Sequence, residues 1–198
     1  TKDCSTCSLL LDVSGANIFL TLQCNLDCPY CYVRKNHTCM TADVVEQTID
    51  FVAHLARETK GFFHTGFLGG EPFLRFRQLR YVTDELEDRS GRSISFTVTT
   101  NGTVLTDVMI AWIRDHDIRL VLSLDGDATT MADRPFKVDG RSSYDNVVRT
   151  MGMLDKSDIP YLIQMTITQS NVSRLSANVR HVVSMGARRV IFGLASNE

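Results

Sequence analysis

The amino-acid sequence predicts an α/β fold of parallel βα units with right-handed crossovers, and three observations predict it. Six short apolar runs alternate with five stretches whose apolar residues recur at helical spacing, the pattern of strands joined by crossover helices. Glycine or a polar capping residue punctuates most of the junctions. Short polar motifs follow the ends of the first four runs, and in parallel βα folds the chemistry gathers at the carboxyl ends of strands.

Residues 1–16 read as an N-terminal extension, with Leu9-Leu10-Leu11 and a turn at Ser14-Gly15. The run Ile18-Phe19-Leu20-Thr21-Leu22 is a buried first strand. Thr41 then stands as an N-cap with Asp43 in the first turn, and Val45, Ile49, Val52 and Ala56 form one apolar helical face ending before Gly61. His64–Leu68 is the second strand. Leu79, Val82 and Leu86 mark the next helix, closed near Gly91, and Ser93–Thr99 is the third strand. Thr106-Asp107 opens a helix carrying Ile110, Trp112 and Ile113, followed by a strand over Arg119–Leu124. A long loop runs from Asp127 to Arg141. Ser143 is then placed as the cap of a helix with Tyr144, Val147, Met151 and Leu154 inward. Tyr161–Ile167 is the fifth strand. Leu175, Val179 and Val182 lie on a helix ended by Gly186, and Arg189–Leu194 is the sixth strand.

The chain has 198 residues, enough for one domain with a sizeable core. Its net charge of −2 leaves no basic surplus to neutralise phosphates, which argues against nucleic acid as a partner. No apolar run is long enough to span a bilayer, so no membrane partner is expected, and the first residues show no signal-peptide pattern. Of six cysteines, three crowd into one short loop, which favours a reducing, cytoplasmic setting over a disulfide framework.

That loop is Cys24-Asn25-Leu26-Asp27-Cys28-Pro29-Tyr30-Cys31. Three thiols leaving a strand in the spacing C-x3-C-x2-C converge on one point. Thiolates select soft occupants: zinc, copper(I) or an iron–sulfur cluster. A closed zinc site wants four protein ligands, whereas a cluster held by three would keep one iron open to a small molecule. The spacing differs from that of ferredoxins, whose cysteines saturate the cluster.

These cysteines, with Tyr30 before the last, resemble the signature of the radical S-adenosylmethionine (SAM) superfamily. Gly69-Gly70-Glu71-Pro72, Thr100-Asn101-Gly102 and Ser123-Leu124-Asp125-Gly126 follow in the order seen in its SPASM-type branch, which includes anaerobic sulfatase maturases and peptide-modifying maturases. The resemblance runs from about Asn17 to the last residue. It implies a partial (βα)6 TIM-type barrel over residues 17–198, a radical SAM core truncated at its C-terminal end. It implies that Cys24, Cys28 and Cys31 hold a 4Fe–4S cluster whose fourth iron takes SAM. Reductive cleavage would then give a 5′-deoxyadenosyl radical that abstracts hydrogen from a peptide or protein substrate. The electron would come from an external reductant of the flavodoxin or ferredoxin type. A small-molecule substrate in cofactor biosynthesis, or a non-catalytic iron–sulfur or zinc module, stands as the alternative.

By the same resemblance Tyr30 lies near the adenine, and the segment Gly69-Gly70-Glu71-Pro72 contacts the SAM ammonium through backbone carbonyls, with Pro72 fixing the turn and Glu71 either shaping it or joining the contact. Ser123 bonds the ribose or carboxylate, and Asp125 orients the loop after it. Asn101 either approaches the same pocket or serves Gly102 as a turn residue with positive φ. Relatives commonly show a His-Asp dipeptide followed by an arginine; here the segment is Met131-Ala132-Asp133-Arg134-Pro135, without the histidine. Arg134 matches the arginine best and is expected to pair with the SAM carboxylate, with Arg141 as a weaker candidate. Cys4 and Cys7 either belong to an auxiliary cluster or are plain thiols; two thiols cannot hold a cluster alone, and the plain reading is preferred.

Overall fold

The computed structural model describes residues 13–91 and 94–195. The expectations placed on Cys4, Cys7, Leu9-Leu10-Leu11 and Ser93 lie outside the described residues. Six parallel strands are present among those described: β1 (Gly15–Phe19), β2 (Phe63–Leu68), β3 (Ile94–Thr100), β4 (Arg119–Ser123), β5 (Tyr161–Ile167) and β6 (Val190–Leu194). They pair strictly in sequence order. Helices α1 (Ala42–Glu58), α2 (Phe76–Ser90), α3 (Asp107–Asp115), α4 (Tyr144–Lys156) and α5 (Leu175–Ser184) make the connections. The sheet curls into a half-barrel, the partial TIM-type architecture that the resemblance implies.

Strand alternation separates the core from the site. In β3, Phe96 and Val98 are buried with Phe63 and Phe67 of β2 against Ile49, Val52, Leu86 and Ile113 of the helices. Thr97 and Thr99 take the opposite face, by the two-residue period. Burying one such phenylalanine contributes roughly 1.5–3 kcal/mol. The helix ends follow local chemistry. The Thr41 side chain accepts from the Val44 N–H, Thr106 does the same for Met109, and Gly91 closes α2 at φ 65°. That left-handed conformation suits glycine.

Four strands differ from the sequence reading by one residue at an end, and three departures have a physical reason. Gly15 begins β1 instead of turning, because its backbone lies opposite His64 in the ladder. The strand also ends at Phe19, although the apolar run continues to Leu22. There the chain leaves the sheet and pairs with its own return: the Met40 N–H donates to the Leu20 carbonyl at 2.9 Å and the Leu22 N–H to Thr38 at 2.9 Å. Leu20 is therefore buried without belonging to the sheet. Ser143 sits at the head of α4 in helical conformation and makes no cap bond. The Ser142 hydroxyl accepts from the Tyr144 N–H instead, at 3.3 Å.

At the far edge, β6 leaves Ile191, Phe192 and Leu194 exposed, the last by 80%. No helix among the described residues is long and apolar enough to cross a membrane.

Candidate cluster and cofactor site

A cavity of about 310 Å³ opens at the carboxyl ends of the strands. Small-molecule sites begin at about this size. Its wall contains Cys24, Cys28 and Cys31, together with Tyr30, Gly69, Gly70, Asn101, Ser123 and Arg134. All three thiols are free and partly buried. Burial pushes the Cys24 thiol up, opposed by the Leu26 N–H and the Lys35 charge. Burial also pushes up Cys28, opposed by the charges of Arg134 and Lys35.

The loop bearing these thiols is held from both sides. The segment after the short helix Thr130–Asp133 runs antiparallel to it: the Asp27 N–H donates to Pro135 at 2.9 Å and the Lys137 N–H to Asn25 at 3.0 Å. Behind the loop, the Glu71 N–H reaches the Gln23 carbonyl at 2.7 Å and the Gly70 N–H reaches Thr21 at 2.9 Å. A Cβ at Gly70 would lie 1.9 Å from the Gln23 carbonyl oxygen, so only glycine permits this approach. Gly69 adds a φ of 121° that side-chain-bearing residues avoid.

Glu71 does not line the cavity. It is wholly buried, and its carboxylate accepts from the Phe73 N–H at 3.1 Å, the Thr100 hydroxyl at 2.7 Å and the Asn101 N–H at 2.7 Å. It thus ties the loop after β2 to the end of β3. Burial raises its pKa to about 7 despite three donors that favour the charged form. Pro72 starts the single turn Pro72–Arg75 and is likewise buried behind the wall. Asn101 fits both readings offered for it. Its side-chain amide donates to Asn25 at 2.9 Å and lies 3.6 Å from the Cys24 sulfur, while Gly102 turns at φ 70°.

Asp125 is buried as well, and it does more than orient the following loop. One carboxylate oxygen accepts from the Tyr30 hydroxyl and from Arg134 Nη1, the latter at 3.3 Å; the other accepts from the Thr166 N–H at 2.7 Å. Arg134 Nη1 also donates to the Tyr30 oxygen at 3.0 Å. The guanidinium expected to meet a ligand carboxylate therefore already has a buried counter-ion. Its Nε is buried and lacks a hydrogen-bond partner. Desolvation and the Asp125 carboxylate together push the Tyr30 phenol well above its ordinary range, with Arg134 opposing. Arg141 does not reach the site; it is exposed and pairs with Asp139 at 2.6 Å.

Other wall residues were not among those predicted as ligands: Lys35, Thr99, Thr100, Thr166 and Gly193; Gln164 lines the wall too. Strand period carries a signal for Thr166, two positions beyond Gln164. Lys35 is a cation four positions past the last thiol, a proximity legible in the loop itself. The histidines stay out of the cavity wall: His64 bonds Ser95 at 2.8 Å, His181 bonds Tyr144 at 2.7 Å, and His116 bonds Glu87 at 3.2 Å.

The donor set fits a cluster held by three thiolates with one position open. Among the described residues the remaining cysteine, Cys39, is not in this wall; its sulfur accepts from Arg75 at 2.6 Å and contacts Thr21 at 3.2 Å. No fourth thiolate among the described residues joins this wall to close a zinc site. Arg134 also lines this wall, and its Nε is buried without a hydrogen-bond partner.

A half-barrel whose strand-end cavity is lined by three free thiols defines a βα core suited to hold a soft metal group beside a small-molecule cavity. Residues 18–172 match the Radical SAM superfamily, and the chain belongs to it. Members are enzymes that use a 4Fe–4S cluster and SAM. The chain is 28% identical over 182 residues to a serine-type anaerobic sulfatase-maturating enzyme of Klebsiella aerogenes, covering 85% of this chain and 43% of that one. It is 29% identical over 177 residues to an uncharacterized protein of Methanocaldococcus jannaschii, covering 88% and 60%. Its fold superposes on anSMEcpe with bound AdoMet and the Cp18Cys peptide at a TM-score of 0.81 and 19% identity, covering 91% of this chain and 51% of that one. The chain thus spans about half the length of these proteins. The similarities fall in the SPASM-type maturase branch.

Proposed function

We propose that this chain is the radical-generating core of an enzyme that modifies a peptide or protein side chain. The observation that carries the reading is the convergence of three free thiols on one cavity at the strand ends. Cys24, Cys28 and Cys31 would hold the 4Fe–4S cluster, and the rest of the wall would receive SAM. Bound there, the pair supplies homolytic cleavage of the sulfonium and, with it, hydrogen abstraction from an unactivated carbon.

The chain's own residues bind, aim and exclude. Gly69 and Gly70 bring backbone to the cavity without side chains in the way. Ser123 offers a hydroxyl from the end of β4, and Arg134 lines the wall with a guanidinium fixed by Asp125 and Tyr30. Asn101 holds Asn25, and so the loop beside Cys24. Residues 17–198 form the catalytic core in this reading, with residues 1–16 as an extension. The protein works in the cytoplasm with a flavodoxin- or ferredoxin-type reductant.

Support for a peptide or protein substrate comes from similarity to the sulfatase-maturating enzyme and to anSMEcpe with its peptide. The test is isotope transfer. The reduced protein is given SAM and peptides bearing deuterated serine or cysteine side chains, and 5′-deoxyadenosine is collected. Deuterium in that product supports the reading. Deuterium that arrives only from a labelled small molecule contradicts it and favours a role in cofactor biosynthesis.

A further inference from the structure

We infer that the ammonium of Lys35 raises the reduction potential of the group held by Cys24, Cys28 and Cys31. The inference rests on reading those thiols as cluster ligands. Lys35 lines the same cavity as all three. Its Nζ donates to the Cys28 carbonyl at 3.2 Å, and its side chain is only 8% exposed. Its carboxylate neighbour is Asp27 at 3.7 Å, whose side chain is 69% exposed and therefore well screened by water.

Among the described residues the cavity wall carries one other cation, and the contrast is informative. Arg134 faces Asp125 at 3.3 Å, and both side chains are buried. Its charge is thus answered inside the protein. The charge of Lys35 is answered by one carbonyl and one solvated carboxylate. Burying an ammonium costs several kcal/mol unless partners compensate, and here the compensation is thin. An anionic group on the three thiols would supply the remainder.

The consequence for redox chemistry follows from charge. Each electron added to a thiolate-ligated cluster makes the site more negative. A nearby buried cation stabilises the reduced state more than the oxidised one, with little screening. Net charge, hydrogen bonds and solvent exposure are the features that set such potentials. A bland reading also exists: Lys35 merely ties the loop by bonding the Cys28 carbonyl. Charge and hydrogen bond can be separated, because Lys35→Gln keeps a donor for that carbonyl and loses the charge.

The experiment is a redox titration followed by electron paramagnetic resonance on the reconstituted protein, without SAM, for wild type, Lys35→Gln, Lys35→Met and Lys35→Arg. The expected result is a tenfold or greater loss in the reduction equilibrium for both neutral variants. For a one-electron couple that is about 59 mV toward lower potential. Lys35→Arg should stay close to wild type. If Lys35→Met fails to hold iron, Lys35→Gln carries the comparison. A Lys35→Gln midpoint equal to wild type overturns the inference and leaves the loop tie. Loss of iron in all three variants overturns it likewise. A wild-type chain that holds no cluster defeats the underlying reading of the thiols instead, so the two failures are distinguishable.

Discussion

Replacing Glu71 by Gln should change how stability depends on pH, because two opposing effects meet at this carboxylate. Burial favours the neutral acid, while the N–H groups of Phe73 and Asn101 and the hydroxyl of Thr100 favour the anion. Burial wins, and the pKa rises from 4.5 to about 7. The folded chain therefore binds this proton more tightly than the unfolded chain does. Stability from the group is complete below 4.5 and is lost as pH rises through about 7. At about 1.36 kcal/mol per pH unit, the loss between pH 5 and pH 8 is on the order of 2–3 kcal/mol. Glu71→Gln has no such titration. Urea unfolding of wild type and variant across that range should show the wild-type advantage shrinking by roughly that amount. A stability difference that stays flat with pH would mean that the three donors outweigh burial and the carboxylate is ionised throughout.

Other substitutions test the remaining supports. Gly70→Ala forces a Cβ onto the Gln23 carbonyl and should cost about 1–3 kcal/mol by chemical denaturation. Gly61→Ala, with nothing within 4 Å, should stay within about 0.5 kcal/mol. Asp125→Ala strands the buried Arg134 charge and should destabilise the fold by roughly 3–5 kcal/mol; a loss below about 1 kcal/mol would show that the pair is open to water. Ser123→Ala should weaken SAM binding by about 1 kcal/mol in calorimetry, and unchanged affinity would remove that hydroxyl from the ligand contacts.

The sequence made some features legible because they are local. Cysteine spacing and the caps at Thr41 and Thr106 each act within a few residues; the structure places the two caps as read and the three thiols on one cavity wall. Parallel βα units were legible from alternation, while the sequential strand order came with the resemblance. What stayed hidden depends on partners far along the chain. Tyr30, Asp125 and Arg134 were each legible as candidates, but their mutual bonding spans 95 and 104 residues. The staple role of Glu71 needs Thr100, 29 residues away. The end of β1 was misplaced because hydropathy reports burial and not pairing: Leu20 is as buried as any strand residue, yet its backbone serves Met40. Ser143 was read as a cap from its type and position, and the neighbouring Ser142 takes that bond.

The most direct test of the whole account is anaerobic reconstitution of the chain with iron and sulfide, followed by dithionite and SAM. The account predicts a cluster of four irons per chain and formation of 5′-deoxyadenosine. Both should be lost in Cys24→Ala, Cys28→Ala and Cys31→Ala and retained in Cys39→Ala. A chain that takes up zinc without iron, or loses its cluster in Cys39→Ala while keeping it in Cys24→Ala, would contradict the account.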